Sequence, residues 1–149
     1  MNNRKRKKLA ERLVAAAALA GVAQVTALLR AGVDPAAADA DGTTPLYAAS
    51  VHGDADSVRV LLAAGAPADA ESGHGEQGTP LCAAACWGHT AAVRELLAHG
   101  ADPRLREDHG TGLAPLDWAL AGPHPETAAL LRAAGAVPTR APADPASAL

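Results

Sequence analysis

The chain has 149 residues and a net charge of −3; alanine makes up about a quarter of it, phenylalanine is absent, and only Tyr47, Trp87 and Trp118 are aromatic. That is one domain's worth of chain, and a core of Ala, Leu and Val suits closely approaching helices better than a wide sheet sandwich. Five of the 13 basic residues are Arg4, Lys5, Arg6, Lys7 and Lys8, which leaves 8 basic against 16 acidic residues in the rest; so acidic a body argues against nucleic acid as a ligand.

The N-terminal region imitates a secretory signal, with a basic stretch followed by the alanine-rich run from Leu13 to Val25. Glu11 and Arg12 interrupt it, and Val25, Leu28, Leu29 and Gly32 already form the buried face and stop of a helix, so the run reads as part of the fold. No apolar stretch approaches the about 20 residues of a membrane span, so no membrane association is expected. Cys82 and Cys86 lie four apart in a predicted helix, a spacing that does not readily offer disulfide geometry. Two free thiols fit a reducing, cytoplasmic location.

Helices are expected near 7–20, 22–31, 45–52, 55–64, 80–87, 90–99, 115–121 and 125–134. Thr44 and Thr79 are N-caps, and Pro45 and Pro80 follow at the first helical position, where a missing N–H costs nothing. Gly53 and Gly88 end these short first helices in left-handed turns. The second helix of each pair carries Val58, Leu61 and Leu62, or Val93, Leu96 and Leu97, on one face. The stops Gly32, Gly65, Gly100 and Gly135 recur 33, 35 and 35 residues apart. Units of that period stack rather than fold alone.

Thr44-Pro45-Leu46, Thr79-Pro80-Leu81, Gly88-His89 and Gly100-Ala101-Asp102-Pro103, recurring in order, resemble the ankyrin repeat over roughly residues 9–137. The resemblance implies an all-α solenoid of helix–turn–helix units joined by β-turn or hairpin fingers. Residues 1–8 then form a basic segment, 9–137 the repeat domain (units about 9–40, 41–75, 76–110 and 111–137), and the Pro- and Ala-rich 138–149 a disordered tail. Residue usage resembles that of a GC-rich bacterial genome. In the family a histidine after Pro-Leu ties neighbouring units together; Tyr47, Cys82 and Asp117 stand there, so that tie is missing or altered. His89, in the Gly-His turn, is expected to satisfy local backbone groups. Ala114 replaces the capping threonine of the last unit and Pro123 its turn glycine, which marks that unit as a degenerate cap.

Two connections, Gly65 to Thr79 and Gly100 to Ala114, exceed that from Gly32 to Thr44 by two residues, so the second and third fingers are longer. The resemblance implies a non-catalytic scaffold that binds a protein partner through fingers and concave helix face, acting as a monomer without cofactor. The expected contact residues are Asp41, Thr43, Glu76, Gly78, His109 and Leu113 on the fingers, with Val51, His52, Cys86 and Trp87 at the ends of the first helices. Trp118, in register with Ala48 and Ala83, is expected in the core.

Other chemistries have weaker footing. Cys82, Cys86 and His89 imitate a metal or redox set, but no fourth ligand is evident. Gly110-Thr111-Gly112 lacks the lysine of a phosphate loop, and no nucleophile–base–orienter trio is hinted at. Arg4 to Lys8 could contact nucleic acid, membrane or an acidic partner, yet have no interleaved aromatic rings for base stacking.

Overall fold

The computed structural model describes residues 2–139, and among these the fold is all-helical, with no strand beyond a single bridge between Ser72 and Gly78. The helices are α1 (Asn3–Ala15), α2 (Val22–Arg30), α3 (Pro45–His52), α4 (Ala55–Ala63), α5 (Pro80–Cys86), α6 (Thr90–Ala98), α7 (Pro115–Ala121) and α8 (Pro125–Ala133). The first helices α3, α5 and α7 pack side by side as an inner layer, and α2, α4, α6 and α8 form the outer one.

Local chemistry sets the boundaries. Tyr47 N–H donates to Thr44 Oγ1 at 3.2 Å and Cys82 N–H to Thr79 Oγ1 at 3.2 Å, capping α3 and α5. Where Ala114 has no hydroxyl to offer, Asp117 Oδ2 accepts the Ala114 N–H at 2.9 Å instead. Helix α1 starts at Asn3 rather than near residue 7, because Asn2 Oδ1 accepts the Lys5 N–H at 2.9 Å. Arg4 to Lys8 are therefore helical and all exposed. Five consecutive helical residues point round the whole cylinder, so they make no single basic face.

One departure lies at the end of α1. The chain continues through a π-helical turn, Ala16–Ala20, before Gly21 turns it with φ of 83°. This extra residue compensates for the shorter Gly21-to-Val25 turn and keeps Leu13 and Val25 in step with Leu46 and Val58.

Leu13, Leu46, Leu81 and Leu116 form one buried row, Val25, Val58 and Val93 a second, and Leu28, Leu61, Leu96 and Leu131 a third. Each such leucine contributes about 1.5–3 kcal/mol on burial, but only once a neighbouring unit covers it.

Histidines lock the units together. His89 Nε2 lies 3.0 Å from the Val51 carbonyl of the preceding unit, and His124 Nε2 lies 3.0 Å from that of Cys86. A carbonyl only accepts, so Nε2 carries the proton in both. The expectation that His89 serves local backbone is thus corrected: it reaches 38 residues back. Gly53 has φ of 72°, and a Cβ there would lie 2.5 Å from His89 Nδ1, so only glycine meets both demands. In the last unit Gly122-Pro123 makes the turn in extended geometry, with Gly122 at φ −98°, and His124 still finds its carbonyl.

Of the tail expected from Pro138, residues 140–149 lie outside the described ones. Thr139 lies within them and donates to Asp117 through N–H (3.0 Å) and Oγ1 (2.8 Å).

Replacing His89 by alanine removes the bond to Val51 and leaves that carbonyl bare. A loss of about 1–2 kcal/mol in urea unfolding is expected, with helical circular dichroism unchanged before the transition. A stability equal to that of the parent would show that the bond carries nothing.

Candidate functional site

The fingers stand on homologous polar residues. Asp39 N–H donates to the Thr43 carbonyl, Ser72 N–H to that of Gly78, and Glu107 N–H to that of Leu113, at 3.0, 2.9 and 3.0 Å. The first loop encloses three residues and the other two enclose five, which places the two-residue insertions inside the fingers. The inserted tips adopt left-handed backbone at His74, Asp108 and His109, with φ of 57°, 50° and 54°.

Each long finger leans on its predecessor. Gly73 N–H donates to the Gly42 carbonyl at 2.9 Å, Gln77 Nε2 donates to Thr43 Oγ1 at 2.9 Å, and Thr44 N–H donates to Ser72 Oγ at 3.0 Å. The His109 N–H in turn donates to Glu71 Oε1 at 2.9 Å. The insertions thus brace the fingers against one another and hold their flanks in fixed positions.

Between these fingers and the inner helices lies a cavity of about 330 Å³. All three aromatic residues of the chain line it: Tyr47 from α3, Trp87 from the end of α5 and Trp118 from α7. Trp87 is 62 % exposed, which is unusual for the largest apolar side chain. Glu107 reaches in from the third finger, lies against Gly78, and accepts the Trp118 indole N–H at Oε2 (2.9 Å). Glu76, Gln77 and Asp108 complete the finger side, and Cys82, Ala83 and Cys86 the helix side.

The electrostatics follow from this geometry. Burial pushes the Glu107 carboxyl above its ordinary range; bonds from Trp118 and Cys82 pull it back, and neighbouring Asp108 adds to the rise. Burial likewise raises Tyr47, Cys82 and Cys86, and the Glu107 charge raises each further. The Cys82 thiol lies within 3.8 Å of the Leu113 carbonyl and is 1 % exposed. A thiol so placed gains little thiolate and reacts slowly. Among the described residues, no group of three or more His, Cys, Asp or Glu side chains is arranged to hold a metal ion.

Of the expected contact residues, the structure brings Glu76, Gly78, Cys86 and Trp87 to this cavity. Asp41 and His52 are exposed elsewhere along the groove. Thr43 is engaged by Gln77, Val51 gives its carbonyl to His89, Leu113 faces Cys82 through its carbonyl, and His109 lies in the cleft between the long fingers. Reasoning from sequence missed Tyr47, Gln77 and Glu107. A signal for Glu107 existed, since it repeats the register of Asp39 and Ser72. Trp118 packs on the core as expected but is only partly buried, because positions that hold alanine in other units have no room for an indole.

In an NMR titration the Trp118 indole N–H resonance is expected to follow Glu107. Acidification protonates the carboxylate and weakens its acceptor, with a midpoint above the ordinary glutamate range. The Glu107→Gln variant should abolish this step; its persistence would disprove the assignment. With a thiol reagent, the native chain should label slowly at Cys86 and hardly at Cys82, and urea should expose both. Rapid native labelling of the Cys86→Ser variant would contradict the buried setting of Cys82.

Comparison with known proteins supports the repeat architecture. The family model described as ankyrin repeats (3 copies) matches residues 63–141, and that of the ankyrin repeat matches residues 41–72. No curated protein matches the chain. With its helix pairs stacked in register and more than half its length matched, the chain belongs to the ankyrin-repeat family.

Proposed function

We propose that the chain is a non-catalytic scaffold, monomeric and cytoplasmic, that captures a protein partner in the groove between its fingers and inner helices. The ankyrin repeat is generally a protein–protein interaction module, and the family is typically non-catalytic. One observation carries the placement: a chain with three aromatic residues directs all of them, from three different units, into one cavity. Packing alone does not call for this, since the core is complete with leucine, valine and alanine.

Trp87 is the anchor of the interface. An exposed indole beside a lined cavity offers a large apolar area at little cost in side-chain entropy. The braced fingers lose little freedom on binding, so more of the contact energy appears as affinity. Glu76, Gly78 and Cys86 form the same contact region, and Asp41, Thr43, Val51, His52, His109 and Leu113 extend the footprint along the groove.

Capture from native lysate, with the parent chain and Trp87→Ala side by side, tests this reading. The variant should keep its helical signal and retain its partner at least about tenfold less well, as truncation of an anchor residue does. Recovery of the same proteins in equal amount by both would refute it.

A further inference from the structure

We infer that the cavity receives a basic side chain, arginine in preference to lysine, presented by the partner protein. This inference rests on the groove being the partner interface and names the chemistry of its central contact.

The argument begins with charge. Three carboxylates line the cavity, Glu76 and Asp108 on its finger side and Glu107 reaching further in, whereas no lysine, arginine or histidine does. The nearest arginine in sequence, Arg106, is occupied by its own finger: Nε donates to the Gly112 carbonyl at 2.8 Å and an Nη to that of Thr111 at 3.0 Å. Elsewhere on the surface carboxylates do find cations, as in Arg59 with Asp56 at 2.9 Å and Arg94 with Glu126 at 3.7 Å. Glu107, half buried, accepts from the neutral Trp118 indole, and among the described residues no lysine, arginine or histidine forms an ion pair with it. A partly desolvated carboxylate without a countercharge is costly, and a cation brought to it relieves that cost.

The aromatic walls add the second half of the argument. An indole or phenol face attracts a cation placed over it, more strongly as water is excluded. Trp87, Trp118 and Tyr47 approach from three units, so a cation in the middle meets rings as well as carboxylates. Planar guanidinium stacks on such faces and forks to carboxylate oxygens, whereas the compact ammonium of lysine is more strongly hydrated. An apolar anchor would fit the rings but would bury the carboxylates without compensation. An acidic one would be repelled. Burial is the main cause of the raised pKa values of Tyr47, Cys82, Cys86 and Glu107, and the nearby carboxylate charges add to each rise.

The test uses the full chain and defined pentapeptides, alanine throughout except for a central arginine, lysine, citrulline or glutamate, with blocked ends. The two tryptophan indole N–H resonances report occupancy. Saturable shifts with the arginine peptide are expected in the millimolar range, as for a single anchoring residue, about 10 mM or tighter. The lysine peptide should bind more weakly, and the neutral isostere citrulline at least about tenfold more weakly, corresponding to loss of one charge-assisted contact. The glutamate peptide should leave both resonances unmoved. Replacing rim charges through Glu76→Gln with Asp108→Asn, which touches neither the core nor the caps, should cost a further several-fold in arginine affinity. Glu107→Gln, checked first by circular dichroism, should cost more.

Equal shifts from arginine and citrulline peptides, or none from either at about 10 mM, would overturn the inference. Indole shifts that grow with protein concentration alone would assign the cavity to Arg4–Lys8 of a second copy and overturn it too. These outcomes are separable from the interface reading. If capture is lost in Trp87→Ala while charge makes no difference to the peptides, the interface stands and the cationic anchor falls. If arginine binds selectively but Trp87→Ala captures as the parent does, the cavity's preference for arginine stands while its place at the partner interface falls, and the inference falls with it.

Discussion

The fold depends on a burial that no unit completes alone. Leu46 or Leu81 lies on a helix of seven or eight residues, too short to be stable in water, and is removed from solvent only when the next inner helix covers it. Every other feature serves that stacking. Proline and threonine start the short helices without wasting a hydrogen bond, and left-handed glycines reverse them within a residue. The π-turn at Ala16–Ala20 keeps a unit with a displaced glycine in the same register. Because the inner helices align so strictly, positions six residues further along also align. Leu19, His52 and Trp87 therefore form a row at the ends of the first helices, exposed in all three cases.

Alanine has a particular part in this arrangement. At positions such as Ala48 and Ala83 the small side chain lets neighbouring inner helices approach closely. Trp118 at the same register, in the last helix pair, cannot be enclosed and turns its indole toward Glu107. Substitution at one aligned position thereby converts packing surface into cavity wall. The short solenoid obtains a shaped pocket without any change of backbone plan.

The sequence made the scaffold legible because its signals are local. Caps, stops and leucine spacing act within a few residues, and every helix but the first falls within one residue of its expected bounds. Part of the site was legible for the same reason: Trp87, Cys86, Glu76 and Gly78 occupy readable places in the repeat. Glu107 and Tyr47 were not, because their significance arises from residues 11 to 71 positions away that stacking brings alongside. The role of His89 was obscured likewise. A Gly-His turn looks self-contained in sequence, yet its ring closes over Gly53 of another unit. The two-residue insertions, visible as length, gave no sign that they would brace one finger on the next.

The histidine bonds also have a direction. His89 and His124 each reach back to a carbonyl of the unit before, never forward. For a chain that emerges from its N-terminus, each of these locks can close only once the following unit has appeared. Among the described residues no further helix pair covers the last unit, where Leu120 is exposed and Asp117 holds Thr139. A lock that always reaches back lets a unit that brings its own histidine dock on the unit before it without disturbing those already in place.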